Sequence, residues 1–220
     1  MRTLNKEMQD LITPKMAYDL LRKGNMRFVS NLKINRNLLQ QVNETRDGQH
    51  PFAVILSCID SRTGAELVFD QGLGDIFSIR VAGNILNTDI LGSMEFACKV
   101  AGAKIILVLG HTKCGAIKGA CDHVELGNLT HLLQKVKPAI AKTPLHGPVS
   151  YTYIDKVAAN NVHHVMDQIV ELSSILKDMV DDGQIAIVGG MYDVETGKVK
   201  FFEHPDLMHL PHEEALETYQ

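Results

Sequence analysis

Along the chain, stretches in which apolar residues recur every three or four positions alternate with short runs that are apolar throughout. The first periodic stretch covers residues 15–32 and follows Thr13 and Pro14, which suit the beginning of a helix. It predicts an amphipathic N-terminal helix. The apolar side of this helix either covers the core of its own domain or contacts a partner subunit, and the sequence leaves both open.

Three apolar runs follow, and a second helical pattern lies between the last two. The runs at 52–57, 76–81 and 104–110 have almost no polar interruption, which is typical of buried parallel strands. The helical pattern at 88–101 ends at Gly102, a residue that favours helix termination. Strand, helix and strand together predict a right-handed crossover unit.

The last third of the chain begins with one long helical pattern at 151–180, which Gly183 closes. The short apolar runs at 185–188 and 199–202 then predict two strands. Residues 192–197 between them favour a hairpin-like connection. The second of these strands is therefore expected at an antiparallel edge of the sheet.

These elements predict an α/β fold, in which helices flank a central, mostly parallel β-sheet with an antiparallel edge strand. A chain of 220 residues is long enough for one such domain. We expect a single domain that consists of an N-terminal helical arm at 1–45, an α/β core at 50–204 and a C-terminal tail at 205–220.

Charge and composition narrow the class of protein. The net charge is −4, and lysine and arginine are dispersed, so nothing indicates a nucleic-acid partner. No apolar run approaches the roughly 20 residues that cross a bilayer, and the first residues lack the apolar core of a secretory signal. We therefore expect a cytoplasmic protein without a membrane partner, with its four cysteines reduced.

Chemistry-bearing residues follow the first apolar run. Cys58, Asp60 and Arg62 alternate, so a chain that leaves the strand extended points all three side chains the same way. The carboxyl ends of parallel strands are where open α/β sheets bind their ligands. A thiol, a carboxylate and a guanidinium group are thus expected together at a binding edge.

A second cluster follows the third run, where His111 and Cys114 are separated by two residues. With Cys58, these two residues form a ligand set typical of zinc, and Asp60 or water would fill the fourth position. Plain packing of each residue and a zinc ion that only staples the strands are the alternatives. Cys98 and Cys121 have no partner at chelating spacing and are predicted to be packing residues.

Asp60 and Arg62 favour catalysis over a structural zinc site. Arg62 is expected to hold the Asp60 carboxylate through two hydrogen bonds, which keeps Asp60 ionised and leaves a metal position for water. Zinc lowers the pKa of bound water to about 7, although thiolate ligands donate charge and weaken this effect. The predicted reaction is attack by a zinc-bound hydroxide.

The motifs CIDSR, GDIFSIRVAGN and GHTKCGA resemble, in this order, the signature of the β-carbonic anhydrases. Weaker similarity reaches KMAYDLLRKGNMRFV and IAIVGGMYDVETGKV, so the resemblance covers about residues 15–204. It implies zinc-dependent, reversible hydration of carbon dioxide to bicarbonate and a proton, with one zinc ion per chain. It also implies a homodimer or homotetramer in which the neighbouring subunit helps to complete the pocket.

The resemblance also assigns roles to individual residues. Cys58, His111 and Cys114 would bind zinc, while Asp60 would either cap the metal or accept a hydrogen bond from zinc hydroxide, with Arg62 as its partner. Four further residues match substrate-pocket positions of the family; for the last three, ordinary core packing is the alternative. These residues are Gln49, Phe77, Ala82 and Phe96.

The sequence departs from the family around Arg80, because Val81 stands where asparagine is commoner. Some members also bind bicarbonate at an inhibitory site that needs tryptophan, arginine and tyrosine. This chain has no tryptophan, and Ile55 and Phe96 fall at the aromatic positions, so we expect that site to be absent. Asp75 and Arg80 either extend the polar network of the site or form an ordinary surface ion pair, and we interpret them as the surface pair, outside the site.

Two other functions remain open at this point. One keeps the zinc chemistry but acts on carbon disulfide or carbonyl sulfide, which the ligands alone do not distinguish from carbon dioxide. The other is a zinc-stabilised binding or sensor protein without turnover. The loss of Asp60 or Arg62 would favour the second alternative, but both residues are present.

Overall fold

The computed structural model describes residues 3–204 and 207 of the chain and shows one five-stranded sheet with helices on both faces. The strands are β1 (Ala53–Ser57), β2 (Ile76–Arg80), β3 (Ile105–His111), β4 (Ala186–Tyr192) and β5 (Val199–Phe201). The longer helices are α2 (Pro14–Val29), α5 (Thr88–Glu95), α7 (Gly127–Gln134), α9 (Tyr151–Leu172) and α10 (Ser174–Asp181). The shorter helices are α1 (Lys6–Leu11), α3 (Leu38–Glu44), α4 (Ala65–Val68), α6 (Gly115–Cys121) and α8 (Lys137–Ala141).

The strand order is β2-β1-β3-β4-β5, with parallel pairing throughout except between β4 and β5. This arrangement confirms the predicted α/β class and its antiparallel edge. The chain steps from β1 to β2 on one side and then returns to place β3 on the other side of β1. The carboxyl ends of β1 and β3 therefore form the topological switch point of the sheet.

Each face of the sheet carries its own core. Val54 and Leu56 of β1 face the layer that contains α5, α6, α9 and α10. Ala53 and Ile55 face the opposite layer, where α2 and α4 pack. Because both faces are covered, every residue of β1 is buried, which explains its uninterrupted apolar sequence.

The N-terminal helix α2 covers its own domain with the first part of its apolar side. Met16, Ala17, Tyr18 and Leu21 are buried in the core beneath the sheet. Thr13 caps the helix by accepting a hydrogen bond from the Met16 N–H, and Pro14 occupies the first turn as predicted. Between the two alternatives for this helix, the described structure shows packing against its own core.

The prediction of a single long helix at 151–180 is wrong, because the helix is interrupted at Ser173. Ser173 has extended backbone angles, φ −122° and ψ 103°, and its hydroxyl oxygen accepts the Leu176 N–H at 3.2 Å. The same hydroxyl donates to the Glu95 carboxylate at 2.6 Å. A serine that caps the next helix thus ends α9 without disturbing the apolar periodicity, which continues into α10.

Two further boundaries differ from the prediction. The helix expected at 88–101 ends as an α-helix at Glu95 and continues as a π-type turn over Phe96–Val100. The strand expected at 185–188 runs on through two glycines to Tyr192. At Gly189, a Cβ atom would lie 2.6 Å from the Met166 sulfur, so this glycine permits close packing of β4 against α9.

The division into arm, core and tail stays a prediction. The expected tail at 205–220 lies outside the described residues apart from Leu207, which is buried beneath the sheet. Within 3–204 and 207, no helix has both the length and the apolar character that a membrane crossing requires.

Candidate metal centre

Three predicted metal ligands come together at the switch point of the sheet. Cys58 directly follows β1, His111 is the last residue of β3, and Cys114 caps the beginning of α6. Their ligand atoms all lie within 4.8 Å of one another, and all three residues are buried. The two sulfur atoms are 4.0 Å apart.

This donor set fits a zinc ion. Zinc–sulfur distances of about 2.3 Å in a tetrahedral site place two cysteine sulfurs roughly 3.8 Å apart, close to the separation of Cys58 and Cys114 found here. The ring of His111 offers its Nδ1 to the Thr112 carbonyl oxygen at 2.9 Å. Its buried Nε2 has no hydrogen-bond partner among the described residues, so its lone pair is free for a metal.

The two thiols favour different protonation states. The pKa of Cys58 lies well below its usual range because the Cys114 thiol faces it, and the His111 ring and the Gly83 amide contribute. The pKa of Cys114 is raised because Cys58 lies beside it and because it is buried. Without a cation, the pair therefore favours one thiolate and one thiol; a divalent metal would stabilise the second thiolate.

The turn between His111 and Cys114 is held by residues from distant parts of the chain. Lys113 has a left-handed backbone, φ 54°, which is uncommon for a residue other than glycine. Its N–H donates to the Asp155 carboxylate at 2.8 Å, and its ammonium group pairs with Glu195. These contacts from α9 and the β4–β5 connection fix the two ligands relative to each other.

Asp60 and Arg62 lie beside the cluster. The Arg62 Nε donates to Asp60 Oδ1 at 2.9 Å, and its Nη2 donates to Oδ2 at 2.8 Å. These bonds hold the pKa of Asp60 well below its usual range. Asp60 Oδ2 lies 4.0 Å from His111 Nε2, so an ionised carboxylate borders the point where the three ligands converge.

Similarity to known proteins agrees with this arrangement. A family model described as carbonic anhydrase matches residues 53–199, which is more than half of the chain. Carbonic anhydrase 2 of Mycobacterium tuberculosis is 33% identical over 199 residues, covering 87% of this chain and 94% of that protein. The chain belongs to the β-carbonic anhydrase family. Members of this family hydrate carbon dioxide, and membership of the family identifies this chain as a carbonic anhydrase.

Solved β-carbonic anhydrase structures share the fold. The Coccomyxa enzyme in complex with acetazolamide has a TM-score of 0.66 and 26% identity, covering 73% of this chain and 75% of that one. A tetrameric β-carbonic anhydrase from Sordaria macrospora has a TM-score of 0.65 and 22% identity, covering 72% of this chain and 84% of that one. The confirmed resemblance is thus one of fold as well as of motifs.

The predicted pocket residues of the β-carbonic anhydrase occupy different places. Ala82 is half-buried and precedes Gly83, whose N–H contacts the Cys58 sulfur at 3.4 Å. Phe77 and Phe96 contact each other edge-on, with ring centroids 6.2 Å apart, and line an open groove of about 520 Å³ beside β2. Because Phe77 pairs with Val54, four residues before Cys58, it lies about 13 Å along the sheet from the ligands.

Gln49 lies even farther from the ligands of its own chain. It is exposed and precedes the amino end of β1, whereas Cys58 follows the carboxyl end. Five strand residues separate the two ends by about 16 Å. A single chain therefore brings together Cys58, Asp60, Arg62, His111, Cys114 and Ala82, but not Gln49, Phe77 or Phe96.

The interpretation of Asp75 and Arg80 as a surface ion pair is wrong. The two residues stand at opposite ends of β2, and the buried Asp75 accepts the Gly72 N–H at 2.7 Å. Arg80 instead donates from Nε to the Cys58 carbonyl oxygen at 3.0 Å and from Nη2 to the Asp60 carbonyl oxygen at 2.6 Å. Arg80 thus holds the backbone that carries both side chains, a role that sequence spacing did not reveal.

Proposed function

We propose that this β-carbonic anhydrase hydrates carbon dioxide with one zinc ion held by Cys58, His111 and Cys114. The observation that carries the proposal is the buried cluster itself, in which two sulfurs and an unpaired imidazole nitrogen converge beside an ionised carboxylate. A structural zinc ion, which only holds the strands together, would not need the Asp60 carboxylate that Arg62 keeps ionised. Both features together favour a catalytic site.

Asp60 acts from beside the metal in this proposal and not as a ligand. Its Oδ1 accepts hydrogen bonds from the Arg62 backbone N–H and Nε, and its Oδ2 accepts one from Nη2. With both oxygens held in this way, the carboxylate accepts a hydrogen bond from the water that attacks carbon dioxide and orients its lone pair towards the substrate. Arg62 keeps the carboxylate in place and ionised.

Zinc, when bound, supplies a nucleophile near neutral pH by lowering the pKa of a water ligand towards about 7. Cys58, His111 and Cys114 would hold the ion at a buried edge of the sheet, and the ionised Asp60 carboxylate would lie beside it. Ala82, next to Gly83 and the Cys58 sulfur, provides an apolar wall close to the reacting centre. A small, apolar substrate such as carbon dioxide suits such a wall.

Gln49, Phe77 and Phe96 are proposed to complete the pocket from a second copy of the chain. Gln49 lies too far from its own metal ligands, and Phe96 is 53% exposed at the free edge of the sheet. The tetrameric relative from Sordaria macrospora supports a homodimer or homotetramer. A cytoplasmic location of the enzyme belongs to the same proposal.

The test is stopped-flow hydration of carbon dioxide by the purified protein, with zinc content measured on the same sample, across about pH 6.5 to 9. We expect about one zinc per chain and turnover that disappears when a chelator removes the metal and returns when zinc is restored. Acetazolamide, which the Coccomyxa enzyme binds, is a second probe of the site. Zinc-loaded protein without hydration at any pH would contradict the proposal, and carbon disulfide and carbonyl sulfide would then be tried.

A further inference from the structure

We propose that Asn161 is a positioning residue for the metal site, which it reaches through the backbone of Gly83. The Asn161 Nδ2 donates to the Gly83 carbonyl oxygen at 2.9 Å, and the Gly83 N–H in turn donates to the Cys58 sulfur at 3.4 Å. The inference rests on the proposed role of Cys58 as a metal ligand. It adds a residue of α9 that supports Cys58 through the backbone at Gly83.

Asn161 is a polar residue on the fully apolar face of α9. It has no exposed surface, and its neighbours on this face are Val157, Ala158, Val162 and Val165, all buried in the same core. An amide in such surroundings is unfavourable unless it makes hydrogen bonds. Its Oδ1 has no partner among the residues that the structure describes. The specific contribution of Asn161 is therefore its single donated hydrogen bond.

Gly83 is the link between Asn161 and Cys58. Its backbone is left-handed, with φ 68° and ψ 18°, and the following Asn84 is left-handed as well, at φ 39°. Glycine adopts this conformation without the steric cost that other residues incur. It sends the Gly83 carbonyl towards α9 and the N–H towards Cys58. The N–H and the carbonyl belong to the two peptide planes that meet at the Gly83 Cα, so a hydrogen bond that holds the carbonyl limits the changes of φ and ψ that would turn the N–H away from Cys58.

The hydrogen bond to Cys58 has two chemical consequences. It holds the sulfur in one position before a metal arrives, which reduces the ordering that metal binding requires. It also withdraws electron density from the thiolate, so that less charge reaches the metal. Because thiolate ligands oppose the acidification of a metal's water ligand, a donor to the sulfur preserves the acidity that hydration of carbon dioxide needs.

The neighbouring residue offers a matched control. Asn160 lies next to Asn161 on α9, is half-buried, and donates from its Nδ2 to the Thr143 hydroxyl at 2.7 Å. Its bond leads to the loop after α8 and not to the metal site. Asn161→Leu and Asn160→Leu thus remove one amide from the same helix, but only the first affects the Gly83 carbonyl.

The experiment uses the full-length protein loaded with cobalt(II) in place of zinc, which makes sulfur-to-metal charge-transfer absorption visible. For Asn161→Leu we expect cobalt and zinc affinity, measured by competition with a chelator, to fall 10- to 100-fold, as for other residues that orient metal ligands. We also expect the charge-transfer band to move to lower energy, since the sulfur loses its hydrogen bond. Asn160→Leu should match the wild type in both.

If Asn161→Leu does not fold, Asn161→Ala provides the same readouts, because it removes the donor to the Gly83 carbonyl without adding bulk to the core. Unchanged affinity and an unchanged band in the variant that folds would overturn the role of Asn161 while leaving the metal site intact. Equal effects from Asn160→Leu would show a general effect of α9 and would also overturn it. Wild-type protein that binds neither metal would overturn the proposed site together with this inference.

Discussion

Arg62 binds the carboxylate of Asp60 through two hydrogen bonds, with Nε 2.9 Å from Oδ1 and Nη2 2.8 Å from Oδ2. Residues two apart on an extended chain point the same way, so the pair forms within one short loop after β1. The grip leaves Asp60 only 17% exposed while Arg62 remains half in solvent. The carboxylate is thereby kept ionised and lies near His111, beside the three proposed metal ligands.

The first prediction concerns the carboxylate. Asp60→Asn should retain about one zinc per chain, because Cys58, His111 and Cys114 are unchanged, but it should lose at least about 100-fold in kcat/KM. The reason is that an amide is no longer a pure acceptor for the attacking water. Stopped-flow hydration and zinc analysis check this together. The control is Asp181→Asn, an exposed partner of Lys177, which should keep full turnover.

The ligand assignment is tested by exchanging cysteines of the same helix region. Cys114→Ser should lower zinc content and the free energy of unfolding together, because metal binding to the folded state stabilises it. Cys121→Ser, at the other end of α6 and outside the cluster, should keep its zinc. Metal analysis and denaturant unfolding provide the two readouts. Full zinc occupancy in Cys114→Ser would remove it from the ligand set.

Those features of the site that follow from chain direction could be predicted from sequence alone. Each buried strand ends where polar residues begin, and parallel strands have their carboxyl ends at the same edge of the sheet. Cys58 and the His111–Cys114 turn are therefore adjacent if β1 and β3 are neighbouring strands. The order of the strands decides that condition, and the structure shows it, since β1 lies between β2 and β3. The alternation of Cys58, Asp60 and Arg62 similarly predicted the ion pair between Asp60 and Arg62.

Features that depend on long-range contacts or on assembly could not be predicted in the same way. Asn161 is 78 residues from Gly83, and nothing in the pattern of α9 marks it as different from a packing residue. Arg80 was paired with the wrong partner because spacing along a strand does not reveal what lies beyond its end. Gln49 matches a pocket residue of the family by spacing, and its proposed place in the pocket requires a second copy of the chain.

The third prediction concerns Arg80, whose guanidinium donates to the carbonyl oxygens of Cys58 and Asp60. Arg80→Met keeps much of the side-chain length but removes both donors. We expect kcat/KM to fall about 10-fold, since supporting residues of metal sites have effects of this order. Steady-state hydration kinetics measure the loss. Arg46→Met, which removes an exposed arginine paired with Asp47, should leave kcat/KM unchanged.

The fourth prediction concerns a buried ion-pair cluster remote from the metal site. Asp70, with a side chain only 3% exposed, accepts hydrogen bonds from Arg27 at 2.5 Å and from Arg36 at 2.6 Å. These contacts join α2, through Arg27, and the connection between α2 and α3, through Arg36, to the turn that follows α4. Burial alone would raise the pKa of Asp70, but the hydrogen bonds from Arg27 and Arg36 outweigh it and leave the pKa below its ordinary value.

Asp70→Asn should lower the free energy of unfolding by about 3 kcal/mol at pH 7, because it leaves two partly buried guanidinium groups without their anion. Asparagine tolerates the left-handed backbone of this position, φ 46°, so the loss reports the charge and not backbone strain. Urea unfolding of both proteins gives the difference. Asp47→Asn, at an exposed ion pair, should change the free energy of unfolding by less than about 0.5 kcal/mol.

The pH dependence of that difference has a definite sign. A carboxyl group whose pKa is lowered by folding stabilises the protein above its unfolded pKa of about 3.9 and loses this contribution as pH falls through the folded value. The gap between wild type and Asp70→Asn should therefore stay constant from pH 8 to 5 and narrow by roughly 1 kcal/mol by pH 3. A gap that stays constant down to pH 3 would show that the Asp70 charge does not stabilise the fold.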